Sequence, residues 1–252
     1  MKYRFPPLLL LCISISDCTL VTKQDTEMDI PESSPANTYT ELGKEYLLRG
    51  QDHVALENFK NALKADSGNS EAHHAIAILY QKLGQKSLWE SHLKQAVSLR
   101  PSNASAQTDY GNYLCHTGNH AEADERYKKA IATPLYQTPW TAMTNAGICA
   151  HRAGRLQDAE NYLRKALKQK PAFAPALLAM AEISLKTDNL LSGRAFIQRY
   201  LSSTSPNAEA LLLGVKIEQA LGDMAASKSY KSQLESLYPD TKEAESLREL
   251  PE

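Results

Sequence analysis

The chain has 252 residues, of which 42% are hydrophobic and 23% charged, the balance of a folded protein rather than a disordered one. Its 28 Lys and Arg against 29 Asp and Glu leave a formal charge of −1, which removes the electrostatic drive for non-specific nucleic-acid binding. Four cysteines are too few for a disulfide scaffold, and the abundance of Ala, Leu, Lys, Gln and Glu favours helices.

The first element is an address. Lys2 and Arg4 form a short basic region, and Leu8 to Ile15 is the apolar stretch that follows. Eight helical residues rise about 12 Å, well short of the roughly 30 Å hydrocarbon core of a bilayer, so the segment reads as a signal peptide and not a membrane span. The stretch ends at Ser16-Asp17-Cys18. This resembles the end of a bacterial lipoprotein signal, with Cys18 as the lipidated residue. Asp17 departs from that pattern, which has a small residue before the Cys. Cleavage without lipidation and no cleavage are the alternatives. Cys12 is a poorer candidate because it lies inside the apolar stretch after Leu11. Acyl chains at Cys18 would give stable anchoring, since each buried CH₂ is worth about 0.8 kcal/mol. By the lipoprotein sorting rule, Thr19 in place of an Asp sends the protein to the outer membrane. Residues 18–35 then serve as anchor and polar tether, ending in Pro31-Glu32-Ser33-Ser34-Pro35.

The rest of the chain is one unit counted six times. Gly50, Gly84, Gly118, Gly154 and Gly222 mark a recurring turn, Asp188 holds that place in the fifth unit, and the spacings are 34, 34, 36, 34 and 34. A column of mostly small residues runs through Gly43, Ala77, Gly111, Gly147, Ala181 and Val215. Another runs through Ala55, Trp89, Ala123, Ala159, Gly193 and Ser227. Pro101, Pro171 and Pro239 close three units. This pattern resembles the tetratricopeptide repeat (TPR). It predicts an all-α, right-handed superhelix of six helix-turn-helix units at 36–69, 70–103, 104–137, 140–173, 174–207 and 208–241, with a charged tail at 242–252. Small residues let the two helices of a unit cross closely, and a Gly ends the first helix in a left-handed turn. Large residues fill between them: Tyr46 with Phe59, Tyr80 with Leu93, Leu114 with Tyr127. Trp89 sits in a small-residue column, so the second unit must splay or turn its indole outward. The third unit runs into Thr133-Pro134-Leu135-Tyr136-Gln137-Thr138-Pro139, a longer loop.

Chemistry is absent from the pattern. No phosphate-binding loop, dinucleotide fingerprint or nucleophile elbow occurs, so no enzyme, cofactor or small-molecule substrate is expected. None of the seven His has a metal spacing with Cys or carboxylate partners, and His73-His74 point about 100° apart on a helix. No metal site is expected. Cys115 and Cys149 fall on the first helices of adjacent units, within reach of a bridge in an oxidising compartment, but two buried thiols are the expected state.

Binding is therefore the expected work. In the TPR superhelix the inner face is lined by the first helices, and the resemblance implies inward positions that include Lys44, Leu47, Leu48, His74, Ile78, Gln81, Asn112 and Ile148. Leu47, Leu48 and Ile78 put apolar groups on that face, Asn112 and the Thr residues could bond a peptide backbone, and Lys44, Lys82, Arg152 and Lys186 are too scattered to clamp a carboxylate tail. The alternative is that Leu47 and its neighbours pack on the tether or the next unit.

The leader, tether and six units together resemble the PilF/PilW family of type IV pilus biogenesis lipoproteins. The strings that carry this are Leu42-Gly43 with Tyr46 and Gly50, Tyr110-Gly111-Asn112-Tyr113-Leu114-Cys115, Ala210-Leu211-Leu212-Leu213-Gly214, and Leu237-Tyr238-Pro239. The resemblance implies a pilotin. Such a protein binds the type IV pilus secretin subunit in the periplasm, accompanies it to the outer membrane and promotes its oligomerisation there. A TPR adaptor of another envelope machine, in barrel-protein assembly or cell-wall enzyme scaffolding, would share the same features.

Overall fold

The structure, a computed structural model, describes residues 34–247. The leader, Cys18, the tether up to residue 33 and the last residues of the charged tail lie outside them. The described residues form thirteen helices: α1 Pro35–Leu48, α2 Asp52–Ala65, α3 Ser70–Lys82, α4 Lys86–Leu99, α5 Ala104–His116, α6 His120–Ala132, α7 Pro139–Arg152, α8 Leu156–Gln169, α9 Ala174–Lys186, α10 Leu190–Ser203, α11 Ala208–Leu221, α12 Met224–Leu237 and α13 Lys242–Ser246. Consecutive helices pair into six hairpins, each packing on the next. No described helix is long and apolar enough to cross a membrane.

In the first, third, fourth and sixth hairpins a large residue of the second helix sits directly over a glycine of the first: Phe59 over Gly43, Tyr127 over Gly111, Leu163 over Gly147 and Tyr230 over Gly214. A Cβ built on Gly111 would lie 2.7 Å from the Tyr127 ring, and Tyr127 is itself fully buried. The hairpin closes only because position 111 has no side chain. Phe59, Leu93 and Leu163 hold the equivalent place in their own units and are completely buried.

Hairpins are punctuated by backbone chemistry. The turn glycines all have φ between 69° and 86°, with nothing within 4 Å of a built Cβ. Their role is conformational freedom alone. Asp188 keeps the same left-handed turn with φ 56°, a region that costs a side-chain-bearing residue about 1–2 kcal/mol and that Asp tolerates better than most. At the other end of the unit, Asn69, Asn103 and Asn207 cap α3, α5 and α11, each side chain accepting from the N–H three residues on. Two caps also grip the preceding unit: Asn69 Nδ2 donates to Asn37 Oδ1 at 3.0 Å, and Asn103 Nδ2 to Glu71 Oε1 at 2.9 Å.

Two expectations change. The Trp89 indole is neither turned outward nor accommodated by an open hairpin: it is 9% exposed and packs edge-on against Tyr113 of the next unit, ring centroids 4.9 Å apart. A large side chain fits there because it fills the seam between units. Its Nε1 is buried without a hydrogen-bond partner among the described residues, a cost offset by aromatic packing. Cys115 and Cys149 are not free thiols. They form a disulfide with Cα atoms 5.8 Å apart, joining α5 to α7. The two residues inserted before α7 shift the register there, so Cys149 stands two places earlier in its unit than Cys115 does in its own, and the two sulfurs meet across adjacent first helices.

The third loop, 133–138, is irregular as expected, and α7 starts at Pro139, where a missing N–H costs nothing. The tail does not extend α12. It turns at Pro239 and forms α13, whose Ala244 and the following Leu247 are buried against Leu211, Val215 and Leu234. Arg194 of α10 bonds the nearly buried Glu218 of α11 through two nitrogens, and Asp223 at 3.2 Å, so the last two units are joined by a paired charge.

Replacing Asp188 by Gly should raise stability by about 0.5 kcal/mol, relief of left-handed strain exceeding the added chain entropy of glycine. Thermal denaturation should show a rise of about 1–2 °C. The double variant Cys115→Ala/Cys149→Ala should lose about 3–4 kcal/mol, the loop-closure value for the separation of 34 residues. Urea unfolding followed by circular dichroism reads it, and dithiothreitol should reproduce the loss in the parent and leave the variant unmoved.

Candidate functional site: the groove across the first two units

α1 and α3 lie side by side, and between them is a groove of about 400 Å³ lined by Lys44, Leu47, Leu48, Glu71, His74, Ala75, Ile78 and Ser105. Its floor is hydrocarbon from Leu47, Leu48, Ala75 and Ile78. Leu48 is 83% exposed and Ile78 39%. Both present apolar surface to solvent.

The rim is polar but internally neutralised. Lys44 Nζ bonds Glu41 at 2.8 Å and Glu71 at 3.4 Å. Glu71 also lies 3.8 Å from Arg100 and accepts from Asn103. His74 is 7% exposed, and its Nε2 lies 2.7 Å from Asp109 Oδ2 of the third unit. Lys82 pairs with Asp52 at 2.6 Å. Each lysine here already has a carboxylate, so the surface offers no net cationic clamp and suits a neutral, apolar guest.

Of the residues singled out in the sequence, Lys44, Leu47, Leu48, His74 and Ile78 come together in this groove. Gln81 is exposed outside its lining. Asn112 is occupied: its Oδ1 accepts from the buried Tyr127 hydroxyl at 2.9 Å, and its Nδ2 reaches Asp109 at 3.3 Å. Ile148 is partly buried and packs on the core of the fourth and fifth units. The threonines are also not groove donors. Thr40, Thr108 and Thr144 are buried, each hydroxyl donating to the carbonyl four residues back in its own helix. A β-branched hydroxyl at a crowded helix crossing satisfies itself locally.

Sequence reasoning missed Asp109. The signal was present: His74 and Asp109 are separated by one repeat plus one residue, which sets them side by side on neighbouring first helices. It also missed that His120 approaches both bridged cysteines, the ring nitrogen and the two sulfurs lying within 4.8 Å of one another. With the sulfurs bonded to each other, that trio is not a ligand set. Farther along, the inner face becomes charged, with Lys186 Nζ 3.0 Å from His151 Nε2 and Glu182 3.8 Å from the same ring. The apolar stretch is confined to the first two units.

Comparison with known proteins bears on this geometry. Tetratricopeptide repeat models match residues 70–103, 102–172 and 150–217. The crystal structure of PilW, described as a widely conserved type IV pilus biogenesis factor, aligns with a TM-score of 0.80 and 32% identity over 86% of this chain and 99% of that one. The chain belongs to the PilF/PilW family. The structure of Pseudomonas aeruginosa PilF is similar at a TM-score of 0.77 and 26% identity, over 85% of this chain and 96% of that one. The curated type IV pilus assembly protein PilF of Pseudomonas aeruginosa is 25% identical over 96% of this chain and 97% of its own length. This member of the family is accordingly a TPR protein of type IV pilus biogenesis.

Proposed function

We propose that the protein is a pilotin: a lipid-anchored outer-membrane protein that grips the type IV pilus secretin subunit in the groove of its first two units and promotes its assembly into the multimeric ring. The observation that carries this reading is the apolar floor in which Leu48 and Ile78 are exposed to solvent beside Leu47, itself partly buried on the core, in a chain whose relatives are pilus biogenesis factors. TPR proteins act by holding other chains, and an exposed apolar floor with a neutralised rim fits an apolar peptide or helix face better than a charged tail. Lipidation at Cys18 would supply the destination. Confinement to one membrane would then raise the effective concentration of protein and secretin for each other.

The test is made in cells lacking the protein, by fractionating membranes and blotting for heat- and SDS-resistant secretin multimers. The multimers should vanish and return with the wild-type gene. The pair Leu48→Glu/Ile78→Glu should fold normally, because both side chains are exposed, yet fail to restore them. Multimers that persist at normal levels without the protein would overturn the pilotin reading. Full rescue by the groove pair would move the grip elsewhere on the surface. A Cys18→Ala complement should yield soluble protein and few outer-membrane multimers; its retention in the membrane fraction would refute the anchor.

A further inference from the structure

His73 and His74 are neighbours in sequence and part company in space. His74 turns to Asp109 at the groove. His73 turns to α4, where its Nδ1 lies 3.0 Å from Nδ1 of His92, the ring centroids 5.1 Å apart and the planes tilted by 37°. The Nε2 of His73 lies 3.3 Å from the carbonyl of Ser67. That carbonyl can only accept, so Nε2 carries the proton and Nδ1 keeps its lone pair. Metal-bound imidazoles are commonly oriented in this way, one nitrogen donating to a carbonyl and the other left bare for the ion. The Tyr80 ring flanks His92 at 5.6 Å, and among the described residues neither His73 nor His92 makes an ion pair with a carboxylate. Burial lowers the pKa of His73 and pushes that of His92 down to about 4, so both rings are neutral at pH 7.

We infer that His73 and His92 form a two-imidazole chelate for a divalent transition-metal ion of tetragonal preference, Cu²⁺ or Ni²⁺, between the two helices of the second unit. The ligand count decides the class of ion: Zn²⁺ sites take three or four protein ligands, whereas tetragonal Cu²⁺ and Ni²⁺ accept imidazole nitrogen and leave their other positions to water. A small turn of the two rings, whose Nδ1 atoms already lie 3.0 Å apart, aims both lone pairs at one ion. Mg²⁺ and Ca²⁺ are hard ions that take oxygen and are not candidates. Water completes the coordination. In the metal-free pair the Nδ1 of His92 donates to that of His73. On binding, the proton of His92 moves through solvent to its own Nε2, so the chelate forms with no net proton release.

The ion would tie α4 to α3 on the side of α3 away from His74, behind the helix that carries Ile78 of the groove. By mass action it would stabilise the second unit.

Ni²⁺ is titrated calorimetrically into the full chain at pH 7.5, with free thiols blocked by iodoacetamide. Cu²⁺ binding is read in parallel by electron paramagnetic resonance. One ion per chain is expected, with a nitrogen hyperfine pattern from two imidazoles and a rise in melting temperature that Mg²⁺ does not reproduce. His73→Gln and His92→Gln should each weaken Ni²⁺ at least tenfold and reduce the copper signal to one nitrogen or none. Circular dichroism verifies that both variants are folded. His120→Gln should bind as the parent does. The inference is overturned if binding does not saturate at one ion, if it survives unchanged in His92→Gln, or if it is lost in His120→Gln.

Discussion

Everything in this molecule depends on how closely two helices of a hairpin can approach. The distance is set by a missing side chain on the first helix and a bulky one on the second, as Gly111 and Tyr127 illustrate: a methyl group on the first would enter the ring of the second. Closeness of this kind fixes the angle at which each hairpin leaves its neighbour, because packed interiors do not deform continuously. The tyrosine does more than fill space. Its hydroxyl donates to Asn112, whose amide reaches Asp109, whose carboxylate holds His74. The contact that closes the third unit is thus linked by three hydrogen bonds to the groove between the first two.

That chain of contacts explains which parts of the sequence spoke plainly. Columns 34 residues apart report positions that every unit must solve alike, so the hairpins, their turns and the longer loop before Pro139 could be read directly. What could not be read is whatever happens between units. Trp89 offends its own hairpin and serves the next one. Cys115 and Cys149 fall in different columns, four residues after Gly111 and two after Gly147, and they meet because adjacent first helices touch there. Of the inward positions implied by the family pattern, Leu47, Leu48 and Ile78 line one groove, whereas Asn112 is hydrogen-bonded to Tyr127 and Asp109 and Ile148 packs on the core. The angle of a residue on its helix says nothing about whether a neighbouring unit has already claimed its polar atoms or covered its methyl groups.

The distribution of apolar surface along the inner face carries a physical meaning. A stack of equivalent units has no intrinsic reason to place its exposed hydrocarbon at one end. Here the first two units bear Leu48 and Ile78 in the open, while the fourth and fifth offer His151, Glu182 and Lys186 in contact with one another. The far end is closed by α13, which covers Leu211, Val215 and Leu234. Repeat arrays need such a terminal cover to stay soluble. The exposed Leu48 and Ile78 lie at the opposite end of the stack, on the first helices of the first two units.

Neutralised rim charges sharpen the kind of guest that this face can hold. A surface that greets its partner with free lysines gains attraction over a distance and loses it as salt rises. Lys44 and Lys82 instead spend their charge on Glu41, Glu71 and Asp52, so affinity must come from hydrocarbon removed from water, at roughly 25 cal/mol per Å². Burial of that kind is short-ranged and tolerant of salt, and it gives little help to the approach of a partner from afar. A groove built this way benefits from being held on the surface where its partner arrives, since confinement replaces the electrostatic steering that the rim has given up. Under the proposed anchor at Cys18, the neutral rim and the anchor would be two halves of one arrangement.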